Sequence, residues 1–597
     1  MRKGVRSTGD DRKVCALTNH GQNFGNTSFA LRSDNFMTIA PPTTKVVFAT
    51  GAPRFASSRL QYLVGKGDLL SAWLEGMNDL DPLKLIASVG GNFAVGLTDA
   101  SGRTFLAVDR FSVQTLCYTL AGGRLRFASR AHELAGPNSE IDPQAIFDYL
   151  YFHVIPSPRT VYRGIYRLPP GHYAVFENGG LTSAPYWEPT FSESRNVSFD
   201  ALKSEFRQLL DDAVRDQLDG GKPACFLSGG TDSSTVTGVI QRVGSSAVDT
   251  YSIGFDAQGY DEMEYARLAA RHFKAKHHEY YVTPDDLVQH IPAVAAHFDQ
   301  PFGNSSVLPA YCCARMARDD GVTRMLAGDG GDELFGGNSR YSKQHVFGLY
   351  GHVPALLQKS VLEPLLSTRA AAAFRLTRKA NSYVEQARIP MPDRLQLHNL
   401  IMRLRPEEVL TGGMLGLIDT TLPLQWQRAV WHRKQSCSPL NQELAYDWRL
   451  TLGESDLPKV VGATSLAGVS VGFPLLDDRL LAFSLSLPTS YKLKGLQLRW
   501  FFKEALRGFL PDEILTKKKK GFGLPFGVWA STTPRLKALA TESLEGLADR
   551  GIVRADFIRE LLSRKLAEHP GYYGEMVWIL MMLVQWLRAK APQFRVT

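Results

Sequence analysis

Cysteine is scarce in this 597-residue chain, and the six present, Cys15, Cys117, Cys225, Cys312, Cys313 and Cys437, form no CxxC pair. That excludes a zinc knuckle and a disulfide framework and leaves buried free thiols in a reducing cytoplasm as the expectation. A secretory signal is lacking too: Met1-Arg2-Lys3 supplies charge, but no apolar stretch follows it. Nor is a membrane span expected. The apolar run from Met576 to Leu587 contains Gln585 and is shorter than the roughly 20 residues a span requires, so it reads as a buried helix. Internal repeats and low-complexity tracts are absent. The net charge of +9 is mild and diffuse for this length; it suits an anionic ligand such as a nucleotide or an acidic peptide and does not argue for nucleic acid or a membrane surface.

What is present is ordinary globular composition, 44% hydrophobic and 21% charged, in a chain too long for one core. Its texture changes once. Residues 1–190 carry short apolar runs broken by Gly, Asn, Asp and Pro, among them GGNFAVGLTD, TFLAVDRF, TLCYTL and RLRFASR, a β-type pattern. A polar stretch from Glu188 to Asn196 reads as a linker. After it, FDALKSEFRQLLDDAVRDQL has helical spacing, and strands and helices then alternate across residues 200–590. The middle, Ser342 to Gln442, reads as mostly helical.

The chemistry concentrates in two glycine-rich loops. Pro223 to Leu227 (PACFL) is a strand candidate that runs into Ser228-Gly229-Gly230-Thr231-Asp232-Ser233-Ser234, after which a helix continues. Strand, glycine loop and helix N-terminus in that order make a phosphate cradle, with backbone N–H groups and hydroxyls as donors. No Gly-Lys-Ser/Thr follows, so this is not a P-loop. A serine-capped Gly-Gly turn occurs at many strand–helix junctions; the complete string after a strand is far more restrictive. Asp232 would repel phosphate without a cation, which implies Mg²⁺ between them. Further βα units follow: Val248 to Phe255, the helix candidate Asp261 to Phe273, then KHHEYYV and TRMLAGD. They imply a parallel, doubly wound sheet with its ligand crevice at the C-terminal strand ends. The last of these strands leads into Gly328-Asp329-Gly330-Gly331-Asp332-Glu333, and Asp332 is the expected partner of Asp232 on the metal. A third feature, Lys517 to Lys520 followed by GFGLPF, sets four consecutive lysines against a turn. Such a run is ordinarily a solvated charge run, but a site that makes pyrophosphate needs a cation, and Lys519 is the candidate.

Taken together, SGGTDSS, YSIGFD, YDEMEYARLAARHFKAKHHE, GDGGDELFGG, FPLLDDRLL and KKKKGFGLPFGVW resemble the asparagine synthetase family across residues 200–590. The resemblance implies an ATP pyrophosphatase fold that forms an acyl-AMP and lets an amine displace AMP. It implies Asp232 and Asp332 as magnesium ligands and Lys519 as the catalytic lysine. Ser228, Gly230, Ser233 and Ser234 fall at the pyrophosphate and Ile253 and Gly254 at the adenine, with Leu227, Gly229, Gly328 and Gly330 as further nucleotide-binding candidates. Asp329 and Glu333 are candidates by place for the base that deprotonates the amine. Residues 1–190 resemble the family's glutaminase domain, an αββα sandwich, in degenerate form. The nucleophilic cysteine expected directly after the initiator is replaced by Arg2, Cys15 lies too far in, and an Asn-Gly-Glu string is missing.

Where the asparagine makers carry Leu-Glu-x-Arg, this chain has Val469-Ser470-Val471-Gly472. Neutral residues there suit a different, larger acyl substrate. Among family members with an inactive glutaminase half, the lasso-peptide cyclases are the most similar. That likeness implies ATP and Mg²⁺, a precursor peptide as substrate, a leader peptidase alongside, and macrolactam formation in the cytoplasm. Two alternatives stand beside it: a small-substrate amidotransferase or β-lactam synthetase, and a non-catalytic peptide-binding scaffold.

Overall fold

The computed structural model describes the chain except residues 1–43, 100, 122–123, 137–138, 194–196, 219, 351–352, 359–374, 434–437, 519–520, 522 and 597. It forms two compact units. One holds the described residues up to Glu140 with Ser157–Glu188; the other holds Ile141–Pro156 and the chain from Pro189 onward.

The first unit is built on an antiparallel sheet ordered β1-β2-β3-β7-β8, with a second sheet ordered β5-β4-β6. The strands are β1 (Thr44–Arg54), β2 (Gly90–Asp99), β3 (Thr104–Val108), β4 (Cys117–Ala121), β5 (Arg124–Ala128), β6 (Ile165–Arg167), β7 (His172–Glu177) and β8 (Gly180–Pro185). Because side chains alternate across a strand, β2 and β3 build two cores at once. Phe93, Val95, Leu97, Phe105 and Ala107 pack against Leu60, Trp73 and Ile86 of the helices Ser58–Gly65, Leu69–Asp79 and Pro82–Ser88. The intervening Ala94, Leu106 and Val108 pack against Tyr118 and Leu125 of the second sheet and Leu116 just before it. The continuous burial of β2 and β3 follows from this double coverage. The loop after β3 is tied by Asp109, whose buried carboxylate accepts backbone N–H bonds from Phe93, Phe111, Val113 and Gln114. Burial nevertheless pushes that carboxyl up to about 6, against those four bonds.

The second unit is a mixed α/β structure around five parallel strands ordered β11-β10-β9-β12-β13. These are β9 (Ala224–Phe226), β10 (Asp249–Phe255), β11 (Lys276–Val282), β12 (Arg324–Leu326) and β13 (Ser470–Gly472). Chain order proceeds from β9 outward to β11, then returns to the other side of β9 for β12 and β13. The reversal leaves a crevice beyond the C-terminal ends of β9 and β12, where the two connecting loops part in opposite directions. On one side of the sheet Tyr251, Met325 and Val469 pack with Cys313, Ala314 and Ala317 of helix Val307–Asp319 and with Ala467 of helix Leu457–Ala467. Elsewhere Phe206, from helix Phe199–Arg215, stands 5.3 Å from both Phe335 and Phe502, which are themselves 5.3 Å apart.

The apolar run near the C-terminus is the buried helix Pro570–Lys590. Its polar member is accounted for, since Gln585 donates to Ser543 Oγ at 2.8 Å. Two indoles on the same helix donate to backbone carbonyls, Trp578 to Gly303 and Trp586 to Phe298. Among the described residues no helix is long and apolar enough to cross a membrane. Segment Ile141–Pro156 joins this unit through Tyr149, which donates to the Ile579 carbonyl at 2.9 Å, and through the Tyr151 carbonyl, which accepts from Asn399. The polar stretch expected as a linker is pinned at Glu193, whose carboxylate accepts from Asn441 Nδ2 at 2.6 Å and from Thr489.

Candidate active site

The loop after β9 is shaped by one residue that only glycine can be. Gly229 has φ +67, and a Cβ there would lie 2.5 Å from the carbonyl carbon of Tyr265. The loop can therefore lie flat on helix Met263–Phe273 only without a side chain at that position. Gly230 caps helix Thr231–Val243. Ser228 and Ser233 close the turn: their hydroxyls are 3.0 Å apart, and Ser228 N–H donates to Ser233 Oγ at 3.2 Å. Backbone N–H groups of the first helical turn and two hydroxyls thus converge at a helix N-terminus, the arrangement that receives phosphate.

A cavity of about 1190 Å³ opens over this loop. It is bordered by Leu227, Ser228, Gly230, Asp232 and Ser233 of the first loop, and by Ile253 of β10. From the loop after β12 come Gly328, Asp329, Gly330, Asp332 and Glu333. The two glycine loops identified in the sequence therefore meet at one site. Three singled-out residues do not border the cavity. Gly229 lies against Tyr265, the Ser234 hydroxyl is fully buried, and a Cβ on Gly254 would strike the Tyr281 ring. Lys519 lies outside the described residues, as does Cys15.

Asp232 and Asp332 are joined by a residue that sequence reading missed. Arg499 Nη2 lies 2.5 Å from both oxygens of Asp232 and 2.9 Å from Asp332 Oδ1. Among the described residues no group of three or more His, Cys, Asp or Glu gathers as metal ligands. Two carboxylates within reach of a single nitrogen suit a hard cation that fills the rest of its shell with phosphate oxygens and water.

Deeper along the same wall Lys459 Nζ sits 3.4 Å from both Asp329 and Asp456. Burial alone would pull its pKa down, but Asp456 and Asp329 more than offset this and hold it above its ordinary value. Burial pushes the Asp329 carboxyl up, with Lys459 opposing. Burial also drives Glu333 up to about 8, helped by Asp456 and Asp447. Asn304 holds this corner by donating to Ser455 and Asp456.

The lysine run is only partly a solvated one. Lys517 is 9% exposed at its side chain and lies 3.1 Å from Glu262 Oε2, 4.2 Å from the Tyr265 ring centre and 3.5 Å from the Gly229 carbonyl. Lys518 borders the cavity. Arg499, Lys459 and Asp456 were not singled out in the sequence, and Lys517 was seen only as part of the lysine run; Arg499, Lys459 and Lys517 each reach a glycine loop or its support through a contact more than a hundred residues away in sequence.

The sequence profile of asparagine synthase matches residues 205–588, more than half of the chain. The chain belongs to the asparagine synthetase family. A glutamine amidotransferase domain profile matches residues 81–187. Among curated relatives, asparagine synthetase [glutamine-hydrolyzing] 1 of Bacillus subtilis is 24% identical over 485 residues, covering 80% of this chain and 74% of that protein. Asparagine synthetase [glutamine-hydrolyzing] 3 of the same organism is 25% identical over 477 residues, 76% and 70%. A fungal relative, amidase chyE of Penicillium rubens, is 24% identical over 515 residues, 78% and 74%. As a member of the asparagine synthetase family the protein is an ATP-dependent, AMP-forming carbon–nitrogen ligase.

Proposed function

We propose that this ligase is a macrolactam synthetase acting on a ribosomal precursor peptide, as in lasso-peptide cyclisation. The observation that carries the reading is the size of the cavity: about 1190 Å³ exceeds the range that encloses one drug-sized ligand, leaving room for ATP and a bulky acyl substrate together. The neutral Ser470–Gly472 segment, which occupies β13 beside β12, supports it, since it has no charged pair to grip a small amino acid.

A side-chain Asp or Glu carboxylate of the peptide attacks the α-phosphorus of ATP, and the bond to pyrophosphate breaks. The peptide's α-amine then attacks the acyl carbon, AMP leaves and an amide remains. Asp232 and Asp332 would hold a magnesium ion, which when bound neutralises phosphate charge. Ser228, Ser233 and the helix N-terminus at Gly230 bind phosphate oxygens. Asp329 and Glu333 border the same cavity as carboxylates able to take the amine's proton, with Lys459 holding Asp329 in place. Lys519 is assigned, by its place in the motif, to the charge that develops on phosphate. Having both reacting groups on one peptide makes the second step unimolecular, which contributes up to ~7–11 kcal/mol. A leader peptidase that frees the α-amine would act alongside. Among the described residues the buried thiols of Cys225, Cys312 and Cys313 support placing the reaction in a reducing cytoplasm.

A second reading, amide formation from ammonia or a small amine on a small substrate, is favoured by the amidotransferase profile over residues 81–187 and by the glutamine-hydrolysing relatives. One experiment separates the two. The full chain is incubated with Mg-ATP and a leader-free candidate peptide, and nucleotide products and peptide mass are read. AMP, pyrophosphate and a peptide lighter by one water support the cyclase; AMP formation that depends on glutamine or ammonium, with no such loss, replaces it with the second reading.

A further inference from the structure

Arg499 is not a mobile surface charge. It is 5% exposed, its backbone is left-handed at φ 56, and it starts the helix Trp500–Ala505. Phe501 and Phe502 on that helix are fully buried. Phe502 packs 5.3 Å from Phe335, three residues beyond Asp332, and the guanidinium lies 5.0 Å from the Phe502 ring centre. The same aromatic cluster thus anchors the arginine and the second glycine loop. Space for the guanidinium depends on Gly337, where a Cβ would collide with both Asp332 Oδ1 and Arg499 Nε. That Nε is itself buried with no hydrogen-bond acceptor among the described residues, a donor left over beside the cavity. The result is one fixed positive charge seated between two carboxylates.

Resting on the ATP-dependent reading above, we propose that Arg499 is the resident counter-ion of the Asp232–Asp332 pair, so that the pair takes a divalent cation only together with a nucleotide polyphosphate. A divalent cation arriving alone must share two negative charges with a guanidinium that its own helix prevents from leaving, and the sum of the four groups is then positive. Polyphosphate reverses that sign. It brings several negative charges and gives the unpartnered Nε an acceptor oxygen. Metal and nucleotide are thereby coupled through Arg499, and by reciprocity each raises the other's affinity by the same factor.

The test uses the full-length protein, Mn²⁺ as the metal probe followed by electron paramagnetic resonance, and α,β-methylene-ATP as a nucleotide that cannot be adenylated on. Binding is corrected for the Mn²⁺–nucleotide complex in solution. In wild type the nucleotide is expected to tighten Mn²⁺ binding by more than about tenfold, within the usual range of coupling. Arg499→Met should bind Mn²⁺ without nucleotide and lose most of that factor, whereas Arg499→Lys should retain it. Wild type binding Mn²⁺ as tightly alone as with the nucleotide overturns the proposal without any variant having to fold. Asp232→Asn separates the two levels of the argument. If it abolishes nucleotide-dependent Mn²⁺ binding while Arg499→Met keeps full coupling, this inference alone fails; if it leaves Mn²⁺ binding intact, the assignment of the metal to this pair fails as well.

Discussion

Replacing Lys517 by methionine keeps the length and apolar stem of the side chain and removes its charge. In the native protein that charge is 3.1 Å from Glu262, and the two side chains are only 9% and 18% exposed. Glu262 directly precedes helix Met263–Phe273, on which the first glycine loop lies, and it borders the same cavity as Ser228 and Gly230. Without Lys517 an uncompensated carboxylate faces the place proposed above for the polyphosphate. At an effective dielectric of about 20, two like unit charges roughly 8 Å apart repel by about 2 kcal/mol, which sets the scale of the effect. Loss of the cation–π contact with Tyr265 adds up to about 1 kcal/mol against the loop's position. The expected result is a Kd for α,β-methylene-ATP with Mg²⁺ weakened by roughly ten- to a hundredfold, measured by calorimetry on the full chain, so that no acyl substrate is needed. Most of the loss comes from stranding Glu262. Adding Glu262→Gln to Lys517→Met should therefore recover most of the affinity. An unchanged Kd in the single variant, or no recovery in the double, would refute the view that Lys517 docks the lysine segment onto the phosphate loop.

Gly229→Ala forces a non-glycine residue to φ +67 and drives its Cβ into the backbone of Tyr265; strain and overpacking together should cost about 2–5 kcal/mol, seen as a lower melting temperature or, where the loop yields instead, as lost nucleotide affinity, and a variant wild-type in both would contradict the packing described. Gly574→Ala places a methyl group on Gly527 where helices Phe526–Thr532 and Pro570–Lys590 cross, for an expected loss of about 1–3 kcal/mol in urea denaturation with no direct effect on the nucleotide site. Lys492 is fully buried, donates to Asn441 Oδ1 at 3.2 Å, and has its pKa lowered to about 7 by burial, with Glu193 opposing. Between that value and the ordinary 10.5 the folded protein binds fewer protons than the unfolded chain. Its contribution to stability therefore rises with pH across that window, by at most about 1.4 kcal/mol per unit. The unfolding free energy of wild type minus that of Lys492→Met should accordingly be more positive at pH 9 than at pH 7, and an unchanged value would mean that Lys492 titrates normally.

The sequence alone determined the parts of this protein whose physics is local. Short apolar runs bounded by turn residues, GGNFAVGLTD and TFLAVDRF, marked β2 and β3, helical spacing marked Phe199–Arg215, and the SGGTDSS and GDGGD strings marked loops that follow parallel strands. Backbone preference and side-chain period act over a few residues, so they can be read without the fold. The run ending at Leu587 was legible as a buried helix for the same reason. Contacts between distant segments were not legible. The helices between Ser58 and Ser88 carry no motif, and their role appears only when Trp73 meets Phe93. Glu193 lies in a stretch with the composition of a linker, yet Asn441 and Thr489 hold it in place. Four consecutive lysines look solvated until Lys517 is seen against Glu262. Above all, Arg499 sits in QLRWFFKEAL, which signals a helix start and nothing more, and it reaches the two carboxylates only because Phe206, Phe335 and Phe502 pack together. Which charges share a cavity depends on how separate elements pack, and that is decided by tertiary structure alone.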